Sequence, residues 1–162
     1  MSTATKAYDE LAGGLVHAMF VVTARRGEER SGCLVGFATQ VGIDPARHLV
    51  CLSTKNHTYG VALDATHLAV HVVPADRHDV AELFGGETGD EVDKFARTPW
   101  REGPHGLPLL DACPRWFVGE VLQHVPFGDH VGFLLDPVSC SGGSAGAQLT
   151  SPVEDVDAGH EA

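Results

Sequence analysis

Short runs of β-branched and aromatic residues, separated by turn-forming residues, recur along the chain. They predict six strands, at residues 16–24, 31–39, 48–53, 67–73, 116–125 and 131–135. A charged turn around Gly27 joins the first two strands, which predicts an antiparallel hairpin. Residues 41–47 are predicted to form a loop, because Asp44-Pro45 marks a turn.

Short helical patterns lie between the predicted strands. Asn56 or Thr58 can cap one helix and Asp76 another, since their side chains accept hydrogen bonds from the N–H groups of a first helical turn. Two further short helices are predicted at residues 8–14 and 88–95. No glycine-rich dinucleotide fingerprint follows a strand, so a doubly wound parallel sheet is disfavoured. The pattern predicts a mainly β (α+β) domain built as a small antiparallel barrel.

The composition changes at Ser139, after which Gly, Ser and Ala are frequent and acidic residues follow without Lys or Arg. Such a segment has little apolar surface to bury. We therefore expect a folded domain over residues 1–138 and a flexible acidic C-terminal tail over residues 139–162. The tail is most simply a solubilising end, and docking of a partner is the alternative.

The charge balance is acidic, with 11 Lys and Arg against 22 Asp and Glu and a formal net charge of -11. Nucleic acids and anionic membrane surfaces need a basic face, so neither is an expected partner. No apolar run is long enough to cross a bilayer, and the first ten residues lack the apolar segment of a secretory signal.

The four cysteines are far apart and form no Cys-x-x-Cys pair. They predict reduced thiols, a cytoplasmic location and no cysteine-based metal site. His67 and His71 share one face of a predicted strand but lie about 13 Å apart, so they do not predict a metal site either.

The densest polar cluster lies between the third predicted strand and the helix that follows it. Its members are Ser53, Thr54, Lys55, Asn56 and Thr58. The first N–H groups of a helix lack intrahelical partners and lie at the positive end of the helix dipole, so this junction favours an anion. One interpretation is a phosphate cradle. An ordinary helix cap beside a surface lysine explains the cluster equally well.

Two other segments are candidates for chemistry. Gly32 and Gly36 interrupt a predicted strand, which often marks close approach of another group to the backbone. A flat ring can lie there, although a bulge or barrel corner is the favoured alternative. His130 follows Asp129 at a turn, where a carboxylate can orient an imidazole. The alternative is a surface histidine beside a residue that bonds its own backbone.

In their order and spacing, these segments resemble the flavin reductase family, which has the FMN-binding split-barrel fold. The matching motifs are Phe20–Ala24, Ser31–Gln40, Ile43–Pro45, Leu52–Thr58, Ala69–His71, Leu83–Gly85, Asp93–Phe95, Gly106–Leu110 and Gly128–His130. Each motif is weak alone, whereas the ordered set is strong and runs through residues 15–137.

The resemblance implies a six-stranded antiparallel split barrel with short inserted helices, which forms a homodimer and holds FMN near the subunit interface. It implies that the isoalloxazine ring lies along Gly36, Phe37, Ala38 and Thr39. It implies that the binding stretch for the ribityl phosphate is Ser53, Thr54, Lys55, Asn56 and Thr58. Phe95 would approach the flavin from its own loop, and His130 would lie on the nicotinamide side as the catalytic-site residue.

The function expected from this resemblance is NAD(P)H-dependent flavin reduction. Hydride would pass from the nicotinamide to FMN, or to FAD as the alternative flavin, and the reduced flavin would supply a partner monooxygenase. The competing expectation is a module that binds FMN or a deazaflavin without reductase turnover.

Overall fold

The computed structural model describes residues 2–86, 93–143 and 146–151. Within these residues the α-helices are α1 (Thr3–Gly13), α2 (His57–Leu63) and α3 (His78–Gly86). The strands are β1 (Phe20–Arg26), β2 (Glu29–Val35), β3 (Ala38–Ile43), β4 (Ala46–Ser53), β5 (His67–Val72), β6 (Trp100–Glu102), β7 (Pro108–Leu110), β8 (Trp116–Pro126) and β9 (His130–Cys140). Short 3-10 helices cover Lys94–Ala96 and Pro104–Gly106.

Seven strands form one antiparallel sheet in the order β2-β1-β5-β8-β9-β4-β3, and β6 pairs with β7 separately. The edge strands β2 and β3 are consecutive in the chain and are joined by only Gly36 and Phe37. The sheet must therefore curve until its two edges approach each other at this bend. The predicted fold class, an antiparallel barrel of α+β type, is confirmed.

The prediction of six strands is one short of the main sheet and also lacks the separate β6–β7 pair. The predicted strand at 31–39 is two strands, because the chain bends at Gly36 and Phe37 and the Phe37 carbonyl accepts a hydrogen bond from the Cys51 N–H at 2.9 Å. The predicted loop at 41–47 is wrong over most of its length, since β3 and β4 form a hairpin with only Asp44 and Pro45 between them. Ladder hydrogen bonds to β4 hold β3 in place although most of its side chains are exposed.

Apolar side chains cover both faces of the sheet, and β1 shows how. Val22 points to the barrel interior, where Leu52, Val70 and Phe133 pack. Its neighbour Val21 points to the outer face, where α3 and Phe95 of the first 3-10 helix pack. Residues that alternate along a strand face opposite sides, so both faces of β1 are buried and its composition is continuously apolar.

His71 joins three strands on the outer face. It is fully buried, its Nδ1 lies 3.0 Å from the Val21 carbonyl, and its Nε2 accepts a hydrogen bond from the Leu110 N–H at 3.1 Å. Burial lowers the pKa of this imidazole to about 4, because the charged form would lose its hydration. His71 is therefore a neutral structural link between β5, β1 and β7.

The domain boundary predicted at residue 139 falls too early. Strand β9 continues to Cys140, and Gln148 and Thr150 form bridges with Pro74 and Ala18. Leu149 is 5% exposed and packs in the outer core. Residues 148–151 therefore belong to the folded domain, and the acidic segment 152–162 lies outside the described residues.

Two other predictions concern helices. Asn56 is the N-cap of α2, as predicted, and its Oδ1 accepts a hydrogen bond from the Thr58 N–H at 2.9 Å. Most of the helix predicted at 88–95 lies outside the described residues. Its last two positions belong to the 3-10 turn Lys94–Ala96. Over the described parts of the chain, no helix is both long and apolar enough to cross a membrane.

Candidate functional site

An open cleft of about 120 Å³ lies where the ends of β2, β4 and β9 meet the start of α2. The residues that line it are Cys33, Leu34, Val35, Gly36, Phe37, Cys51, Leu52, Ser53, Asn56 and His130. Five of the predicted site residues are among them: Gly36, Phe37, Ser53, Asn56 and His130. The sequence segments that were singled out separately thus share one groove.

The loop between β4 and α2 forms the polar end of the cleft. Its main chain is fixed by short bonds, since the Asn56 N–H donates to the Ser53 carbonyl at 3.0 Å and the Lys55 N–H donates to Ser53 Oγ at 3.3 Å. Thr54 and Lys55 are exposed on the outside of this loop. The loop therefore presents hydroxyl and amide groups, with one cation beside them, where an anionic group can bind.

Thr58 supports this loop from behind. It is 1% exposed, and its hydroxyl shares a hydrogen bond of 2.7 Å with Ser31 Oγ. Its backbone N–H is already engaged by Asn56. In the structure Thr58 thus connects α2 to β2, and it does not line the cleft.

A set of rings lies at the other end of the cleft. The Phe37 ring is 52% exposed and lies 5.2 Å from the His130 ring and 5.5 Å from the His17 ring, measured between centroids. His130 is the first residue of β9 and pairs with Ser53 at the end of β4. Strand pairing therefore places the predicted catalytic residue beside the predicted phosphate loop.

Asp129 holds His130 and the loop at the same time. Its Oδ1 lies 2.9 Å from His130 Nδ1, and this hydrogen bond lowers the pKa of the Asp129 carboxyl. Its backbone carbonyl accepts two hydrogen bonds from Thr54, one from the N–H at 2.9 Å and one from Oγ1 at 3.1 Å. One turn residue thus connects the ring end and the polar end of the cleft.

Besides Thr54, Lys55 and Thr58, three predicted residues lie away from the cleft lining. Phe95 is buried in the outer core, where its ring contacts those of Phe84 and Trp100, each at 5.8 Å. Ala38 packs against the barrel interior at the start of β3, and Thr39 next to it is exposed. Their proposed contacts with a flavin remain predictions.

Three further residues of the site are not among the predicted site residues. His17 lies before β1 in a segment without a motif, and nothing in the sequence indicates its contact with Phe37. Cys33 in β2 and Cys51 in β4 line the cleft close to Gly36 and Ser53. Burial raises the pKa of the Cys33 thiol to about 11 and raises that of Cys51, so both thiols stay protonated and unreactive at neutral pH.

Comparison with known proteins gives the family. Residues 12–151 match the family described as flavin reductase like domain. The chain belongs to this family. The expected resemblance is therefore confirmed over most of the chain.

Several named relatives share this domain. The reductase subunit Stc3 of stachydrine N-demethylase from Rhizobium meliloti is 29% identical over 130 residues, which are 78% of this chain and 54% of that protein. The reductase component of the flavin-dependent trigonelline monooxygenase from Acinetobacter baylyi is 29% identical over 73% of this chain and 37% of its own length. The FMN reductase (NADH) RutF of Pseudomonas syringae is 27% identical over 76% of this chain and 69% of its own. The chain thus spans about half or less of the first two proteins.

A solved structure agrees with the fold of this chain. The FMN-binding protein from Thermus thermophilus with bound 1-cyclohex-2-enone superposes with a TM-score of 0.73 at 28% identity, over 78% of this chain and 71% of that one. The residues around the cleft suit a flavin nucleotide, because a polar loop with a lysine lies at one end and the exposed Phe37 ring lies beside His130 at the other.

Proposed function

We propose that this protein is an NAD(P)H-dependent flavin reductase that binds FMN in the cleft. The observation that carries the proposal is the meeting of the β4–α2 loop with Phe37 and His130 in one groove. A flavin nucleotide has a flat ring at one end and a phosphate at the other, and this groove has the matching groups in the matching order. The names of the relatives support the same activity.

The residues of the cleft divide between the phosphate, the flavin ring and the nicotinamide. Ser53, Thr54, Lys55 and Asn56 bind the phosphate, and Gly36 to Thr39 run along the ring. A bound flavin supplies the redox chemistry by accepting hydride from the nicotinamide. The protein therefore needs to orient two rings and exclude water, and His130 orients the nicotinamide.

We also propose that the working form is a homodimer. The cleft volume of about 120 Å³ is below the roughly 300–1,000 Å³ typical of pockets that enclose a small ligand. The rim of the cleft and the turn between β8 and β9 expose apolar side chains, with Phe37 at 52% and Phe127 at 54%. A second subunit on this side would cover them and enclose the ligand.

A partner monooxygenase would use the reduced flavin in this proposal. Two relatives are named as reductase parts of a demethylase and a monooxygenase, which supports such a partner. All four cysteines are unpaired, which is typical of proteins in a reducing compartment and supports a cytoplasmic location.

The test is a pair of measurements on the purified protein. FMN, FAD and riboflavin are titrated by fluorescence quenching, and NADH and NADPH oxidation are followed with and without each flavin. We expect tight FMN binding and flavin-dependent oxidation of at least one nucleotide. Binding of FMN or of a deazaflavin without oxidation would favour the binding module, and the absence of any flavin affinity would exclude both functions.

A further inference from the structure

The tautomer of His130 follows from its contact with Asp129. The distance between Nδ1 and Oδ1 is 2.9 Å. An ionised carboxylate only accepts hydrogen bonds, and the pKa of Asp129 is lowered by its bond with His130. Nδ1 therefore carries the hydrogen, and the lone pair of the neutral imidazole is on Nε2.

Nε2 is the nitrogen that remains for a ligand. No protein group among the described residues forms a hydrogen bond with it. The ring lines the cleft, its side chain is 15% exposed, and Phe37 packs against it at 5.2 Å. A lone pair held in a fixed direction selects a hydrogen-bond donor.

The surroundings allow the carboxylate to be changed without moving the turn. Asp129 is tied to Thr54 through its backbone carbonyl, and this contact does not involve the side chain. The other titratable groups near the pair are Lys55, whose charge acts on Asp129, and His17 on the far side of Phe37. Both remain when only the carboxylate is replaced.

We propose that Asp129 is a positioning residue that holds His130 as the Nδ1–H tautomer, so that Nε2 accepts a hydrogen bond from an amide N–H of the bound ligand. The proposal rests on the proposed function, in which a flavin and a reduced nicotinamide share the cleft. Two groups in that complex carry such an N–H: the carboxamide of the nicotinamide and the pyrimidine edge of the flavin. The experiments below distinguish them.

The first experiment replaces Asp129 by Asn, which keeps the size of the side chain. Its amide can donate to Nδ1 and thereby place the hydrogen on Nε2. We expect kcat/KM for NADH to fall about 10- to 100-fold, the effect of one misplaced hydrogen bond. Asp79→Asn, which removes an exposed carboxylate paired with Arg77 outside the cleft, is the control and leaves kcat/KM unchanged.

The second experiment identifies the donor. Reduced 3-acetylpyridine adenine dinucleotide has a methyl group in place of the carboxamide NH₂. If the carboxamide is the donor, the wild type prefers NADH over this analogue, and Asp129→Asn loses about tenfold or more of that preference. If the flavin edge is the donor, the preference is the same in both proteins and FMN binds more weakly to the variant. Unchanged preference together with unchanged FMN affinity overturns the proposal.

The third experiment reads the tautomer without catalysis. Long-range ¹H–¹⁵N correlation spectra of the ligand-free protein distinguish protonated from unprotonated ring nitrogens, and His130→Gln assigns the signals. We expect a protonated Nδ1 in the wild type and a protonated Nε2 in Asp129→Asn. An Nε2–H tautomer in the wild type overturns the proposal even in an active enzyme. The expected tautomer in a protein that binds no flavin contradicts the proposed function instead.

Discussion

The outer face beneath α3 and the cleft each contain one glycine of the β2 segment and one histidine, yet the two regions are opposite in character. Under α3, a Cβ on Gly32 would lie 2.9 Å from the Phe84 ring, and both nitrogens of His71 have partners. In the cleft, a Cβ on Gly36 would meet no described atom closer than the Met19 sulfur at 3.5 Å, and within the described part of the chain only one nitrogen of His130 has a protein partner. A residue whose hydrogen-bonding groups and surrounding space are all occupied by the protein has a structural role. A residue with an unoccupied side can contact a ligand.

The largest effect in this comparison is expected for His71→Leu. The change leaves the Leu110 N–H buried without its partner and removes the imidazole contact with the Val21 carbonyl. We expect the free energy of unfolding to fall by about 3 kcal/mol, measured by urea denaturation. The control is His78→Leu on the exposed side of α3, which changes it by less than about 0.5 kcal/mol. Equal effects in the two variants would contradict the structural role.

The same histidine makes stability depend on pH. Its pKa is about 4 in the folded protein and about 6.5 in an unfolded chain. The unfolded state takes up the proton first, so the stabilisation is complete above about pH 6.5 and is lost as the pH falls toward 4. The loss at pH 4 is about 3 kcal/mol. Denaturation at several pH values should show this slope in the wild type and a weaker one in His71→Leu.

A smaller effect is expected at the polar end of the cleft. Lys55→Ala should weaken FMN by about 10- to 100-fold, since one charge-assisted contact with the phosphate is lost. Riboflavin has no phosphate and should bind almost equally well to both proteins. Lys6→Ala on the exposed face of α1 is the control. An equal loss for the two flavins would show that the phosphate lies elsewhere.

The two glycines provide the smallest and most direct contrast. Gly32→Ala forces the Phe84 ring to move and should cost about 1–2 kcal/mol of stability without changing FMN affinity in the folded protein. Gly36→Ala meets only ordinary contacts from the protein, so its stability should be nearly unchanged. If the flavin ring lies on Gly36, its new methyl group should weaken FMN. Reversed results would exchange the roles of the two sites.

The sequence alone predicts the strand positions well where both faces are buried, as in β1 and β5, because β-branched and aromatic runs there have no competing pattern. The sequence does not show that Gly32 and Gly36 differ in their surroundings. Gly32 has no room for a side chain because the Phe84 ring lies against it, whereas Gly36 lies at a bend between two strands. Both environments are set by residues distant in the chain. The hairpin β3–β4 was missed because exposed, polar strands are held by ladder hydrogen bonds.

The candidate site also has one part that local sequence predicts and one part that depends on distant residues. The β4–α2 loop is local in sequence, so its cap and its polar character follow from neighbouring residues. The contact of Phe37 with His17 and His130 joins residues from three separate segments, and no local rule predicts it. The burial of Phe95 in the outer core likewise depends on Phe84 and Trp100.

The bonds made by residues 148–151 reach further than their position near the chain end suggests. Ser151 exchanges two hydrogen bonds with the backbone of His17, and Leu149 bonds Met19 and Val73. His17 in turn contacts Phe37 at the cleft. A deletion that starts at Ala147, or a fusion that displaces the residues after it, therefore removes Leu149 from the outer core and releases the first of three adjoining rings, so both folding stability and nucleotide turnover should fall.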